Sequence, residues 1–106
     1  SLFVAVRVIS ANRSGMATTD GGEKRFAAKH NTAPVIRRGG IAGAHYKPTS
    51  DEHGTVTLPA GASLPIGSIL ELQVPHCDPT VNLYDFIHAV RGDRVLEIWP
   101  VDARGA

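Results

Sequence analysis

The chain has 106 residues, of which 42% are hydrophobic and 20% charged, the balance of a folded domain rather than of a disordered segment. Its formal net charge of +1 lacks the basic excess that binding to nucleic acid exploits, so we expect no nucleic-acid partner. We also expect no membrane partner, because the longest apolar runs are far shorter than the ~20 residues that span a bilayer. A single cysteine, Cys77, cannot form an internal disulfide, which makes the cytoplasm the expected location.

The length suits one hydrophobic core, so we expect a single domain over residues 1–106. Residues 2–9 contain Val, Ile and Phe and one charge, which predicts a strand buried on most of both faces. A turn at 12–15 and a returning strand at 16–19 complete a predicted hairpin. A strand pattern that starts at the second residue also favours a domain excised from a longer protein.

Residues 23–30 have the only composition in the chain that favours a helix, but they are too few to predict more than a short helix or a turn. Further strands are predicted at 34–37, 41–47, 55–58 and 68–74, and a hairpin is predicted from 83–90 and 94–99 through a turn at 91–93. Short strands with turn signals every ~8 to 12 residues predict an all-β, mainly antiparallel fold. We expect a small β-barrel with at most one short helix, near residues 23–29.

The segment between Pro75 and Pro79 contains the residues best suited to bind a metal. His76 and Asp78 lie two positions apart, and such residues point to the same side of an extended strand. An imidazole and a carboxylate suit Zn²⁺ or Mn²⁺, and two protein ligands leave open positions for water or substrate. The spacing therefore predicts a divalent-metal site at His76 and Asp78, with Cys77 as the alternative ligand if the backbone is a turn. On spacing alone a polar loop without metal is the commoner explanation, because His-x-Asp is frequent.

Four further residues are candidates for lining an active site: His53, Glu52, Thr80 and Asn82. A solvated loop histidine is the simpler explanation for His53, and capping of the loop backbone is the simpler one for Thr80 and Asn82. Glu52 is a candidate for a hydrogen bond that orients a neighbour. Trp99 has aliphatic neighbours, which predicts that it packs against other side chains.

Several segments, in order along the chain, resemble the D-threonine aldolase and D-serine dehydratase-like family. They are Val8-Ile9-Ser10 with Asp20-Gly21-Gly22-Glu23-Lys24, Asp51-Glu52-His53-Gly54, the run 75–83, Val90-Arg91-Gly92-Asp93 and the run 98–105. The resemblance implies the C-terminal β-domain of an alanine-racemase-type (fold III) enzyme, with a small β-barrel that supplies the metal ligands. The family's ligand pair then matches His76 and Asp78. Dehydratases usually have Cys as the second ligand, and Cys77 is displaced by one position, so the aldolase branch is the closer match.

The resemblance also implies a function. The chain would be the metal-binding domain of a pyridoxal-phosphate-dependent D-amino-acid lyase that cleaves the Cα–Cβ bond of β-hydroxy-D-amino acids, with Zn or Mn as the metal. Its partners would be the N-terminal pyridoxal-phosphate barrel of the same enzyme, a homodimer partner and the D-amino-acid substrate. The lysine that binds the cofactor would belong to the barrel, so no catalytic residue is expected in the chain and it would be inactive alone. Two alternatives stay open, a D-serine dehydratase-like domain and a non-catalytic β-barrel that binds a partner.

Overall fold

The computed structural model describes residues 2–26, 33–75 and 77–102, with the side chain of residue 78 excepted. The elements in chain order are β1 Phe3–Ser10, β2 Met16–Thr19, a 3-10 turn at Glu23–Arg25, β3 Val35–Arg38, β4 His45–Pro48, β5 Gly54–Thr57, β6 Ile69–Gln73, the helix α1 at Cys77–Val81, β7 Phe86–Arg91 and β8 Arg94–Pro100. Among these described elements, no helix is both long and apolar enough to cross a membrane.

Six of the strands form one antiparallel sheet in the order β3-β6-β1-β2-β5-β4. Its two end strands, β3 and β4, also approach each other, so the sheet curls into a nearly closed barrel. Closure protects sheet edges that would otherwise expose unpaired backbone groups. The predicted fold class, a mainly antiparallel β-barrel with little helix, is confirmed. So is the first hairpin, in which β1 and β2 pair with Val8 opposite Thr19.

Strand β1 shows why the core lies on one side of the sheet. Val4, Val6 and Val8 are buried, whereas Phe3 and Ile9 are 38% and 43% exposed. The prediction that this strand is buried on both faces is therefore wrong. An antiparallel sheet commonly packs one face against the core and leaves the other to solvent. Here apolar side chains also occupy outward positions, which concealed the alternation in the sequence.

The barrel interior is filled by side chains from five of the six strands and from the loops. Leu70 and Leu72 of β6 and Val56 of β5 are fully buried at its centre. Phe26, which follows the 3-10 turn, meets Tyr46 of β4 edge to face, with ring centroids 5.9 Å apart. The remaining buried apolar residues are Val4, Val6, Val8, Ala17, Leu58, Leu64 and Val74. The 3-10 turn is thereby fixed to the barrel by the residue that ends it.

Helix α1 is a correction to the sequence analysis. Extended structure was expected from His76 to Asp78, but the backbone is helical from Cys77 to Val81. Pro79 fits because it lies in the first turn, where the backbone N–H groups have no intrahelical partner to lose. The argument that strand alternation aims His76 and Asp78 at one point is therefore wrong, since α1 already includes Asp78.

The second sheet is the hairpin of β7 and β8, whose turn contains Gly92 at φ 59°. It was predicted in the right place, and glycine adopts this left-handed conformation without steric cost. Every residue of β8 is exposed. Trp99 is 50% exposed, so only half of its surface is covered by other residues of the described chain.

Candidate functional site

Two of the segments singled out in the sequence lie directly against each other. We call residues 20–24 the glycine loop and residues 50–54 the histidine loop. The backbone N–H of Glu23 donates to the Ser50 carbonyl at 2.8 Å, and the N–H of Lys24 donates to the Asp51 carbonyl at 3.0 Å. The loops are thus joined through their main chains, although they are separated by some 30 positions in the sequence.

The histidine loop is a tight turn between β4 and β5. The N–H groups of Thr49 and Ser50 both donate to the His53 carbonyl, at 3.0 and 3.1 Å, and the N–H of His53 donates to Ser50 Oγ at 3.1 Å. The turn leaves Glu52 and His53 exposed at its outer side. Their backbone is therefore well fixed even though their side chains are in contact with solvent.

Glycine is required where the two loops meet. A Cβ atom at Gly22 would overlap the Ser50 carbonyl oxygen and the His53 nitrogen, both of which are backbone atoms that cannot move aside. A Cβ at Gly54 would overlap the Tyr46 hydroxyl and the Gly21 carbonyl oxygen. The glycines in both motifs thus permit a close backbone approach, in addition to the turn flexibility expected from the sequence.

Tyr46 supports both loops from the barrel interior. Its hydroxyl donates to the Gly21 carbonyl at 2.5 Å and accepts from the Thr19 hydroxyl at 2.5 Å. The N–H of Gly21 in turn donates to Thr19 Oγ1 at 3.2 Å, which closes a ring of three hydrogen bonds. Burial raises the pKa of Tyr46 to about 12, so the hydroxyl is protonated and able to donate across the neutral pH range.

An ion pair joins the two loops at their surface. Lys24 Nζ lies 2.5 Å from Glu52 Oε1, and both side chains are more than 60% exposed. The hydrogen bond and charge of Lys24 lower the pKa of Glu52, and the same partner raises the pKa of Lys24. The predicted role of Glu52 as an orienting group stays a prediction, and in this structure its carboxylate pairs with Lys24.

A third motif, the run 75–83 that contains α1, lies next to a residue that contacts the other end of the 3-10 turn. Tyr84, three residues after α1, donates from its hydroxyl to the Arg25 carbonyl at 2.8 Å, and burial raises its pKa. Within α1 and the turn that follows it, Thr80 is almost fully buried, whereas Cys77 and Asn82 are exposed. Thr80 therefore belongs to the support of this segment, while Cys77 and Asn82 are accessible to a ligand.

These contacts bring the three motifs together around the turn at residues 23–25, which we take as the candidate site. Both tyrosines of the chain hold this arrangement, and sequence reasoning missed both. A signal was present in the composition: each tyrosine is a large side chain with a polar end, placed a few residues from one of the motifs. Such side chains usually find a hydrogen-bond partner when they are buried.

The predicted metal ligands stay predictions. His76 and the side chain of Asp78 lie outside the described part of the structure, and no group of three or more His, Cys, Asp and Glu that could hold a metal occurs within that part. The donors of residues 76–78 are an imidazole, a thiol and a carboxylate, a set whose chemistry fits Zn²⁺ or Mn²⁺. Cys77 and Asp78 occupy successive positions of α1, which differ by about 100° around the helix axis.

The family of the chain follows from a comparison with family models. Residues 1–90 match the family described as "Putative serine dehydratase domain". The chain belongs to this family. The match includes the glycine loop, the histidine loop and α1, and it therefore covers every segment that forms the candidate site.

The chain is also similar to two kinds of aldolase. It is 37% identical over 106 residues to D-threonine aldolase from Arthrobacter sp. It is 35% identical over 105 residues to 3-hydroxy-D-aspartate aldolase from Paracoccus denitrificans (strain Pd 1222). Each comparison covers 99% of the chain but only 27% and 26% of the relative, so the chain spans about a quarter of their length.

Solved structures agree on the fold. The crystal structure of D-threonine aldolase from Filomicrobium marinum matches 97% of the chain and 28% of its own length, with a TM-score of 0.85 and 38% identity. An alanine racemase-like protein from Idiomarina loihiensis matches 92% of the chain with a TM-score of 0.74 at 21% identity, which supports the shared fold alone. The β-domain of this serine dehydratase family member is thus of the alanine racemase-like type.

Proposed function

We propose that this chain is the metal-binding β-domain of a pyridoxal-phosphate-dependent lyase that cleaves the Cα–Cβ bond of β-hydroxy-D-amino acids. The observation that carries the proposal is the similarity over 99% of the chain to two aldolases. Both named substrates, D-threonine and 3-hydroxy-D-aspartate, are D-amino acids with a hydroxyl group on the β-carbon. The proposed substrate class is therefore defined by this hydroxyl rather than by the rest of the side chain.

The proposed roles of the metal, the cofactor and the chain follow from the residues that the chain contains. When bound, the metal supplies Lewis acidity toward the β-hydroxyl and pyridoxal phosphate supplies an electron sink. His76 and Asp78 would hold the metal, and two protein ligands would leave coordination positions for water and the substrate hydroxyl. The cofactor and its lysine would belong to an N-terminal barrel of the same enzyme. The isolated chain would therefore have no activity toward D-threonine or D-serine.

The remaining residues of the site would position this segment. Tyr84 ties the end of α1 to the 3-10 turn, and the histidine loop holds the other side of that turn through the backbone. Glu52 and His53 would then face the substrate entrance from a fixed turn, with Lys24 engaging Glu52. Asn82, exposed beside α1, would contact water or a cofactor oxygen. None of these groups needs to change its protonation state in this role.

The test uses a chimera in which this chain replaces the matching 106 residues of the Arthrobacter D-threonine aldolase. We expect metal-dependent cleavage of D-threonine, and we expect His76→Ala and Asp78→Ala each to lower it by at least ~100-fold. Loss of a supporting residue around a bound metal costs about 10- to 100-fold, and a direct ligand costs more. Metal content should fall in both variants. Full metal-dependent activity in both would contradict the assignment.

A second function is favoured by the family itself, which is named for serine dehydratases. In that case Cys77, exposed at the start of α1, would be the second ligand in place of Asp78. The matched variant is Cys77→Ala in the same chimera. Loss of metal in Cys77→Ala but not in Asp78→Ala, together with ammonia release from D-serine, would identify a dehydratase. The reverse pattern would identify an aldolase.

A further inference from the structure

The hairpin of β7 and β8 carries an unusual amount of exposed apolar surface. Half of the large hydrophobic side chains that the described residues expose belong to it: Phe86, Val90, Val95, Leu96, Ile98 and Trp99. A two-stranded hairpin is marginally stable by itself in water, because it buries too little apolar area. An exposed apolar surface of this kind usually marks an interaction site.

The register of the hairpin places much of this surface on one face. His88 lies opposite Ile98 and Val90 opposite Val95, and Phe86 follows the same alternation along β7. We call these five residues the docking face. Its four apolar members are each 55–57% exposed, whereas Ile87 and Ala89, which alternate with them, are partly buried. The docking face is therefore the more apolar and the more exposed of the two faces of the hairpin.

The tip of the hairpin, one residue pair beyond the docking face, carries a positive charge. Arg91 and Arg94 lie directly opposite each other at the ends of the two strands, with Asp93 in the turn between them. Like charges in directly opposite positions destabilise a strand pair. One aspartate offsets only part of this repulsion between two arginines. The tip is thus suited to meet an acidic group at the end of the hairpin.

The lengths of the relatives indicate the occupant. The chain spans 27% and 26% of two aldolases, and the similarity covers 99% of the chain, including both strands of the hairpin. We propose that the docking face binds the remaining three-quarters of the same aldolase-type polypeptide, with an acidic group of that polypeptide against Arg91 and Arg94. The proposal rests on the proposed function for the identity of this polypeptide. It needs neither the metal ligands nor any catalytic step.

The test measures how fast a thiol on the docking face reacts. Ile98→Cys is introduced into the 106-residue chain and into the Arthrobacter chimera, and maleimide labelling is followed for that peptide by mass spectrometry. We expect labelling at least about tenfold slower in the chimera, because the covered thiol then reacts only when the interface opens. Ile66→Cys is the matched control, since Ile66 is 66% exposed in the loop before β6 and should label equally in both proteins.

Two results would overturn the inference. One is an equal labelling rate for Ile98→Cys in the two proteins. The other is slow labelling in the isolated chain that becomes slower with protein concentration, which would make a second copy of the chain the occupant. If the chimera does not fold, the same comparison is made in the Arthrobacter aldolase itself, at the positions aligned with Ile98 and Ile66. Equal rates at those two positions would also contradict the proposal.

The charge at the tip is tested separately in the chimera. Arg94→Glu should accelerate labelling of Ile98→Cys, while Arg13→Glu, a charge reversal on the exposed turn between β1 and β2, should leave it unchanged. No effect of Arg94→Glu would overturn the acidic complement. Labelling requires no metal and no turnover. A protected but inactive chimera would therefore refute the proposed function alone, and an active but unprotected chimera would refute this inference alone.

Discussion

Tyr46→Phe is the most direct test of how the two loops are held together. The substitution keeps the ring, including its edge-to-face contact with Phe26, and removes only the hydroxyl. The Gly21 carbonyl then loses its donor and the Thr19 hydroxyl loses its acceptor, both in a buried setting. An unsatisfied buried polar group costs about 1–3 kcal/mol, so two such groups predict a loss of about 2–6 kcal/mol in the free energy of unfolding.

The assay is urea denaturation of the 106-residue chain followed by far-ultraviolet circular dichroism. Tyr84→Phe is the matched control, because it removes a single hydrogen bond, to the Arg25 carbonyl, at a more open position. We expect it to cost about 1 kcal/mol, the typical contribution of one hydrogen bond. A loss below about 0.5 kcal/mol for Tyr46→Phe, or a larger loss for Tyr84→Phe, would refute the assignment of Tyr46 as the main support of the loops.

Three further expectations concern the same region. Because the folded pKa of Tyr46 is about 12 and its ordinary value is 10.0, the contribution of Tyr46 to stability should be constant below pH 10 and fall as the pH rises from 10 to 12, by up to ~1.4 kcal/mol per pH unit. Urea midpoints measured across that range test this expectation. Tyr46→Phe should reduce the dependence of the midpoint on pH, and an unchanged dependence would contradict the raised pKa of Tyr46. Gly22→Ala should destabilise the chain by about 1–3 kcal/mol in the same assay, because the new Cβ meets backbone atoms, and a neutral result would contradict the close approach of the loops. Glu52→Gln should leave the urea midpoint unchanged, because its ion pair with Lys24 is exposed to solvent. The amine pKa of Lys24, measured by nuclear magnetic resonance, should fall toward 10.5 in the same variant. A shifted midpoint would show that the pair holds the loops together.

Much of the fold was predictable because strands and turns leave local signals. Residues 16–19 follow the turn signal at 12–15 and form β2 as predicted, with side chains that alternate between partly buried and buried. The burial of β1 was not predictable from its composition, because Phe3 and Ile9 are apolar yet face outward, and only the assembled sheet determines which face is covered. Helix α1 was missed for a related reason. An extended segment was predicted up to Pro79, but proline is equally compatible with the first turn of a helix.

The candidate site was predictable as a set of segments but not as an arrangement. The sequence identified Glu52 and His53, yet no local pattern indicates that their loop would contact Glu23 and Lys24. That contact depends on barrel closure and on the support from Tyr46, which are properties of distant parts of the chain. The positions of His76 and Asp78 as ligands rest on resemblance and donor chemistry, since the alternation argument fails at α1.

The joint between the glycine loop and the histidine loop is made by main-chain atoms, and this has a consequence for how such a domain can diversify. The N–H groups of Glu23 and Lys24 donate to backbone carbonyls, so the geometry depends on the glycines and not on the side chains at positions 23, 24, 51, 52 and 53. Those side chains are free to be exchanged while the backbone that presents them stays in place. Members of the serine dehydratase domain family can therefore retain this joint and differ at these five positions.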